Sequence, residues 1–265
     1  MSTLPKSRLS IHRALAIARH ESRILFRDPT FVLVTIGMPL AVMAFVTRVF
    51  RAALVGEGYH HANGSEQSVP GMTIMFCLFL VGSVGYVFFR EHGWNTWERL
   101  RASRARPFEI LVGKSLPIFI HALCLQLILF GFGIVVFGLR FQGSLFAAAL
   151  IACAFSVCLV TLGVAIASVC RTAQQNSAIC NVGTMLLAGL GGAIAPSSTL
   201  PFWAKIVAPI TPSYWAMRGY RGIILNGKGV PGTLGPVFVL FALATLFAIC
   251  AILRFRFEET KIRWM

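Results

Sequence analysis

Residues 71–114 read GMTIMFCLFLVGSVGYVFFREHGWNTWERLRASRARPFEILVGK. Positions 71–89 carry no charge at all, and positions 90–114 then hold six basic residues: Arg90, Arg99, Arg101, Arg104, Arg106 and Lys114. About 20 apolar residues in helical form cross roughly 30 Å of hydrocarbon. The first part is therefore long enough for a membrane span, and the second is a positively charged connection.

Five further apolar stretches of similar length occur. The six expected spans lie near 31–50, 71–89, 115–138, 144–169, 178–195 and 235–253, the fifth being short and rich in glycine. The chain is 57% hydrophobic and 12% charged, against about 25% charge in soluble domains. The expected fold is an all-α polytopic membrane protein, with residues 1–265 forming one transmembrane domain.

A net charge of +15 in a soluble chain suggests nucleic acid. Here the positions of the charges argue against that partner. Residues 1–30 hold Lys6, Arg8, Arg13, Arg19, Arg23 and Arg27, and the tail adds Arg254, Arg256, Lys261 and Arg263. With the 90–114 connection and Arg171, seventeen of the 24 basic residues fall on one side of the expected topology. Positively charged loops are retained in the cytoplasm, so both termini are expected there. The excess of Arg over Lys hints at a GC-rich bacterial genome, and thus at a bacterial inner membrane. The first apolar run has no cleavage-type site before it, so it does not read as a secretory signal. The seven cysteines fall in or at the ends of spans and form no CxxC pair. They read as small buried hydrophobes.

Residues 9–27 alternate apolar side chains with Arg13, Arg19, Arg23 and Arg27. This pattern predicts an interfacial helix touching membrane lipids. It reads equally as a plain anchor or as a contact for a cytoplasmic partner. Asp28-Pro29 is expected to stop it. The first outer loop, 51–70, contains His60, His61, Glu57 and Glu66 without a ligand spacing, and reads as solvated. Residues 196–234 contain Pro201, Trp203, Pro209, Pro212 and Tyr214 and are too apolar for a free loop. Two short helices dipping into the outer leaflet are expected, from about Leu200 to Ala208 and from Tyr214 to Leu225.

Certain chemistries are missing. None of the nine acidic residues lies in the middle of an expected span, which argues against an ion-coupled secondary transporter. Gly113-Lys114-Ser115 mimics the end of a phosphate loop, but Phe108 stands where the first glycine belongs and no strand precedes it. Gly189-Leu190-Gly191-Gly192 reads as small residues for close helix packing, not as a dinucleotide loop. No hydrolase grouping and no metal-ligand spacing occurs, so neither enzyme chemistry nor a cofactor is expected in this chain. His121, Gln126, Asn181 and Thr184 are polar groups within expected spans. They fit either a translocation path or hydrogen bonds between helices.

Residues 91–106 carry the functional signal. Glu91, Trp94, Thr96, Trp97, Glu98, Arg99, Leu100 and Arg101 form a charged amphipathic segment on the positive side. Asn95 with Glu98 has capping-box spacing. Chemistry alone leaves a membrane-surface helix and a docking knob open. The chain resembles the ABC-2 type transporter permeases. The matching pieces are Leu25-Phe26-Arg27-Asp28-Pro29, Val69-Pro70-Gly71, the run Glu91…Gly93…Thr96…Glu98-Arg99-Leu100…Gly113-Lys114, Leu200-Pro201-Phe202-Trp203 and Pro209…Thr211-Pro212.

The resemblance implies an exporter built from two permease copies and two ATPase subunits, with ATP and Mg held by the ATPase partner. It implies that 91–106 is the coupling helix, that the N-terminal helix is a second contact, and that the Pro-rich segment is re-entrant near an outer gate. Trp94 and Trp97 make this coupling segment bulkier than the usual pattern. A hydrophobic or amphipathic cargo is the accompanying expectation. The alternatives are an ion-coupled transporter acting without an ATPase and a membrane scaffold without transport.

Overall fold

The computed structural model describes residues 11–26, 29–94, 102 and 107–254. Their regular structure is helical, with no strand among the described residues. The α-helices are α1 (Ile11–Phe26), α2 (Pro29–Gly56), α3 (Ser65–Gly93), α4 (Pro107–Val135), α5 (Leu145–Val169), α6 (Ala173–Leu190), α7 (Phe202–Val207), α8 (Pro212–Ile224) and α9 (Val230–Arg254). Short 3-10 turns occupy Ser197–Thr199 and Ala208–Ile210.

Local chemistry sets the ends. Thr172 caps α6, its side chain accepting from Gln175 N at 3.1 Å. Thr211 caps α8 by accepting from Tyr214 N at 3.3 Å, with Pro212 at the first helical position. Each cap satisfies an amide that the helix cannot, and a first-position proline gives up no helical bond. Helices α2, α3 and α9 extend at both ends beyond the apolar runs expected from sequence, while α4 starts well before its run and ends at Val135, short of position 138. Helical hydrogen bonding continues into polar flanks, so apolar counting alone truncates the elements.

Five helices are long and apolar enough to cross a membrane, at Leu33–Gly56, Ser65–Glu91, Phe108–Val135, Leu145–Val169 and Val230–Arg254. The stretch expected as the fifth span, 178–195, is not among these five, and the helix there runs Ala173–Leu190. The Thr172 cap starts α6 early, and Gly192, at φ +80°, turns the chain after it. Helix α6 opens on Gln174, Gln175, Asn176 and Ser177, which dilutes its apolar character. Within the Gly189–Gly192 stretch, Gly189 faces open space while Gly191 lies directly against Ser213. The expected packing role is visible at Gly191.

Helix α3 is the centre of the bundle: 72% of its apolar stretch is buried, against 17% for α9. It packs on α2, α4, α5, α6 and α8, while α9 lies chiefly along α5. Gly163 of α5 permits the closest approach to α3, since a Cβ there would meet Val84 Cβ at 2.7 Å and the Val81 carbonyl oxygen at 2.9 Å. Outward faces carry Phe45 of α2, Leu127 of α4 and Phe238 of α9, each at least 75% exposed. Apolar faces this wide are unusual on soluble monomers and suit contact with lipid.

Helix α6 runs antiparallel along α3. Asn176 Nδ2 donates to Gly82 O at 3.5 Å, Thr184 Oγ1 to Leu78 O at 3.2 Å, and Gln67 Nε2 to Gly192 O at 2.9 Å. The ends of the helices therefore gather into two groups. One holds α1, the start of α4 and the ends of α3, α5 and α9. The other holds the end of α2, the starts of α3 and α9, and the segment 191–229.

Candidate functional site

At the first of these ends, four charged side chains from three helices close on one another. Lys114 of α4 is 1% exposed. Its ammonium donates to Glu21 Oε1 of α1 at 2.8 Å and to Glu91 Oε1 of α3 at 2.8 Å. Arg90 of α3 pairs with the other oxygen of Glu21. Two acids and two bases make the set formally neutral. Isolated charges are costly to bury, and mutual pairing makes such burial tolerable.

The clasp occupies a decisive place in the chain. Arg90 and Glu91 lie just before residues 95–101, and Lys114 follows residues 103–106. Both ends of the amphipathic connection are therefore tied to one ammonium group and, through Glu21, to α1. Helix α1 packs on α4 along much of its length, with Ala18 and Glu21 buried. Arg19 and Arg23 remain on its exposed side. Of the two readings of the N-terminal helix, this geometry adds a third role, a bolt on the start of α4. Gly113-Lys114-Ser115 lies inside a continuous helix, where backbone amides are committed to the helix ladder and Lys114 to its two carboxylates.

Glu91 faces Lys114 and is mostly covered. Its position is that of a strut behind the connection. Trp94 is 61% exposed, and the Arg90 guanidinium lies 5.0 Å from its ring centre. Arg27, Thr96, Trp97, Glu98, Arg99, Leu100 and Arg101 lie outside the described residues, as do Asn95 and the capping-box pairing.

The four polar residues within spans separate. Gln126 is 1% exposed. Its amide nitrogen donates to Ser156 Oγ at 2.8 Å, and its oxygen accepts from Tyr220 OH at 2.8 Å. This node joins α4, α5 and α8 in the core. Thr184 is buried in its bond to Leu78 O. His121 is buried on α4. Only Asn181 faces outward, on the α6 side that also carries Val182, Met185 and Leu186.

The opposite end is held by a second charge pair. Glu57, just past α2, pairs with Arg221 of α8 and accepts from Ser198 Oγ. Pro201 precedes α7, whose Phe202 and Trp203 are exposed. Pro209 O accepts from Trp215 Nε1 at 2.7 Å, and Tyr214 meets Trp215 edge-on at 5.4 Å. The expected pair of short helices is thus present as α7 and α8, pinned to α2 through Glu57.

Burial pushes the Glu57 carboxyl up, but the Ser198 hydroxyl and the Arg221 guanidinium outweigh it and hold the group below its ordinary value of 4.5. A depressed folded-state value means stabilisation that is complete above the ordinary value and disappears as pH falls through the folded one. The stability advantage of wild type over Glu57→Gln should therefore be full at neutral pH and shrink below 4.5. Thermal melts of both proteins across that range measure it; a constant difference would contradict the assignment.

Sequence reading did not single out Glu21, Arg90, Lys114 or the Glu57–Arg221 pair as a site. One signal was available: Glu21 is the lone acid in the basic stretch 6–27.

Residues 13–225 match the family model described as ABC-2 type transporter. The chain is 27% identical over 191 residues to the linearmycin resistance permease protein LnrN of Bacillus subtilis (strain 168), covering 70% of this chain and 48% of that protein. It is 29% identical over 147 residues to the probable multidrug ABC transporter permease YbhR of Escherichia coli (strain K12), covering 54% of this chain and 39% of that protein. The chain spans less than half the length of these curated relatives.

Proposed function

The chain belongs to the ABC-2 type transporter family, and from that premise we propose that it is the permease subunit of an ATP-driven exporter in a bacterial inner membrane. It supplies the membrane pathway, pairs with a second permease copy, and is driven by a separate ATPase subunit that holds ATP and Mg. The cargo is hydrophobic or amphipathic, in keeping with the resistance and multidrug names of the relatives.

Helix α6 serves as the sixth span. At about 1.5 Å per residue its 18 residues reach about 27 Å, close to the hydrocarbon thickness. Because it accompanies α3 from Gly82 to Gln67, a membrane crossed by α3 is crossed by α6 as well. Six spans put both termini on one side, and the basic excess assigns that side to the cytoplasm.

The observation that carries the reading is the buried clasp at both ends of the 91–106 connection. A connection fastened in this way transmits displacement. A push from an ATPase bound at 95–101 would reach α3 through Arg90 and Glu91, α4 through Lys114, and α1 through Glu21.

The test is the double variant Glu98→Gln/Arg99→Gln in the reconstituted complex. We expect cargo-stimulated ATP hydrolysis and transport to fall by about tenfold, the effect of losing roughly 1.4 kcal/mol of contact energy, with an unchanged melting profile. Full retention of both activities would remove 91–106 from the coupling role.

A further inference from the structure

A cavity of about 240 Å³ opens beside α8 at the end opposite the clasp. Tyr214, Arg218, Arg221, Gly222, Asn226 and Lys228 lie on its wall, with no carboxylate there among the described residues. Each polar group is held by a separate device. Arg218 stacks on the Trp215 ring, 5.3 Å from its centre. Arg221 is anchored by Glu57. The Lys228 stem lies over two glycines, where a Cβ on Gly222 or Gly232 would meet it at 3.1 Å. Its backbone nitrogen donates to Gly222 O at 3.0 Å. Asn226 accepts from Tyr59 OH through its oxygen at 3.2 Å, which leaves the amide NH2 as its donor.

The wall therefore presents three cations and an amide donor. Glu57 balances Arg221. Neither Arg218 nor Lys228 has a carboxylate within ion-pair distance among the described residues. A wall with three cations, two of them without a carboxylate partner among the described residues, selects an anion. Tyr214 and Trp215 are side chains that favour the membrane interface, which suits a place at headgroup level. Its volume lies just below the roughly 300–1,000 Å³ range of drug-sized ligand pockets, a size suited to a headgroup and not to a whole cargo molecule. The neighbouring cavity around His60, His61 and Arg140 also contains Glu66 and has no such single-sign wall.

We propose that this cavity binds the phosphate group of an amphipathic molecule at the outer leaflet, with Arg218 and Lys228 as its principal ligands. The site stands independently of the ATPase partner and is tested on the isolated protein. Detergent-purified protein is titrated with dioleoyl-phosphatidylglycerol and, separately, with inorganic phosphate. Binding is read by native mass spectrometry for the lipid and by melting shift for phosphate.

Wild type should bind the lipid saturably. Arg218→Gln/Lys228→Gln should bind it about tenfold or more weakly, the loss expected for charge-assisted hydrogen bonds. Lys205→Gln, an exposed lysine that donates to Ser198 O at 3.0 Å, should bind as wild type does. Competition by inorganic phosphate would identify the phosphate alone as sufficient. Absence of competition would identify the lipid-borne group as the ligand. Equal binding by wild type and the double variant would overturn the site. Both substituted side chains are exposed, so the fold should survive. Lys228→Gln alone repeats the comparison with the Arg218–Trp215 stack intact.

Discussion

Lys114→Met should cost about 3–5 kcal/mol, the penalty for removing one partner from a buried ion pair. The methionine fills similar space, so the loss is not a cavity effect. It comes from Glu21 and Glu91, whose carboxylates both accept from Lys114 at 2.8 Å. Arg90 remains to balance Glu21, and Glu91, mostly covered, loses the ammonium group that faces it.

This yields a sharper expectation for the pair. Lys114→Met/Glu91→Gln removes one positive and one negative charge and leaves Glu21 with Arg90. The double variant should recover most of the stability lost by the single variant. Unfolding free energies of the four proteins in a double-mutant cycle measure the coupling. Additive losses would show that the two side chains do not act together. The double variant also separates folding from transmission. It should melt near wild type yet lose cargo-stimulated ATP hydrolysis in the assembled complex, because the strut behind the connection is gone.

Gly71→Leu should be the second large effect. A Cβ at Gly71 would lie 2.3 Å from the Ala193 carbonyl oxygen and 3.3 Å from its carbon. Both are backbone atoms, so no rotamer change relieves the clash. Overpacking of this kind typically costs about 1–3 kcal/mol. The nearby bond from Gln67 Nε2 to Gly192 O at 2.9 Å would open with it, freeing the C-terminal end of α6 from α3. The control is Gly183→Ala on α6, where the added Cβ meets nothing within 4 Å. That change should be neutral or stabilising by up to about 1 kcal/mol, the helix-propensity difference. Thermal melts of both variants decide the matter; similar losses would mean that the α3–α6 approach is not close-packed in solution.

The legible part of this molecule is the part with short-range signals. Uncharged runs such as 71–89 announce spans because the bilayer imposes a minimum length, and the proline-rich segment announces α7 and α8. The displaced start of α6 shows the limit: a single threonine cap overrides the centre of an apolar run. The sites were less legible because their partners are distant in the chain. Lys114 and Glu21 stand 93 positions apart, and Arg221 and Glu57 stand 164 apart. Gln126 illustrates the same point. Its residue type fits a pathway or a core node equally well, and only the arrival of Ser156 and Tyr220 beside it distinguishes the placement.

The clasp also bears on biogenesis. Arg90 and Lys114 belong to a strongly basic connection, and loops of that kind are retained on the cytoplasmic side during insertion. Once α4 is in place, the same two charges are neutralised inside the protein by Glu21 and Glu91. Glu21 emerges from the ribosome long before Lys114. The clasp therefore closes only after three helices have been delivered in the right orientation. A chain inserted with α4 inverted would leave Glu21 and Glu91 without Lys114, and that mispaired state would be exposed to quality-control proteolysis.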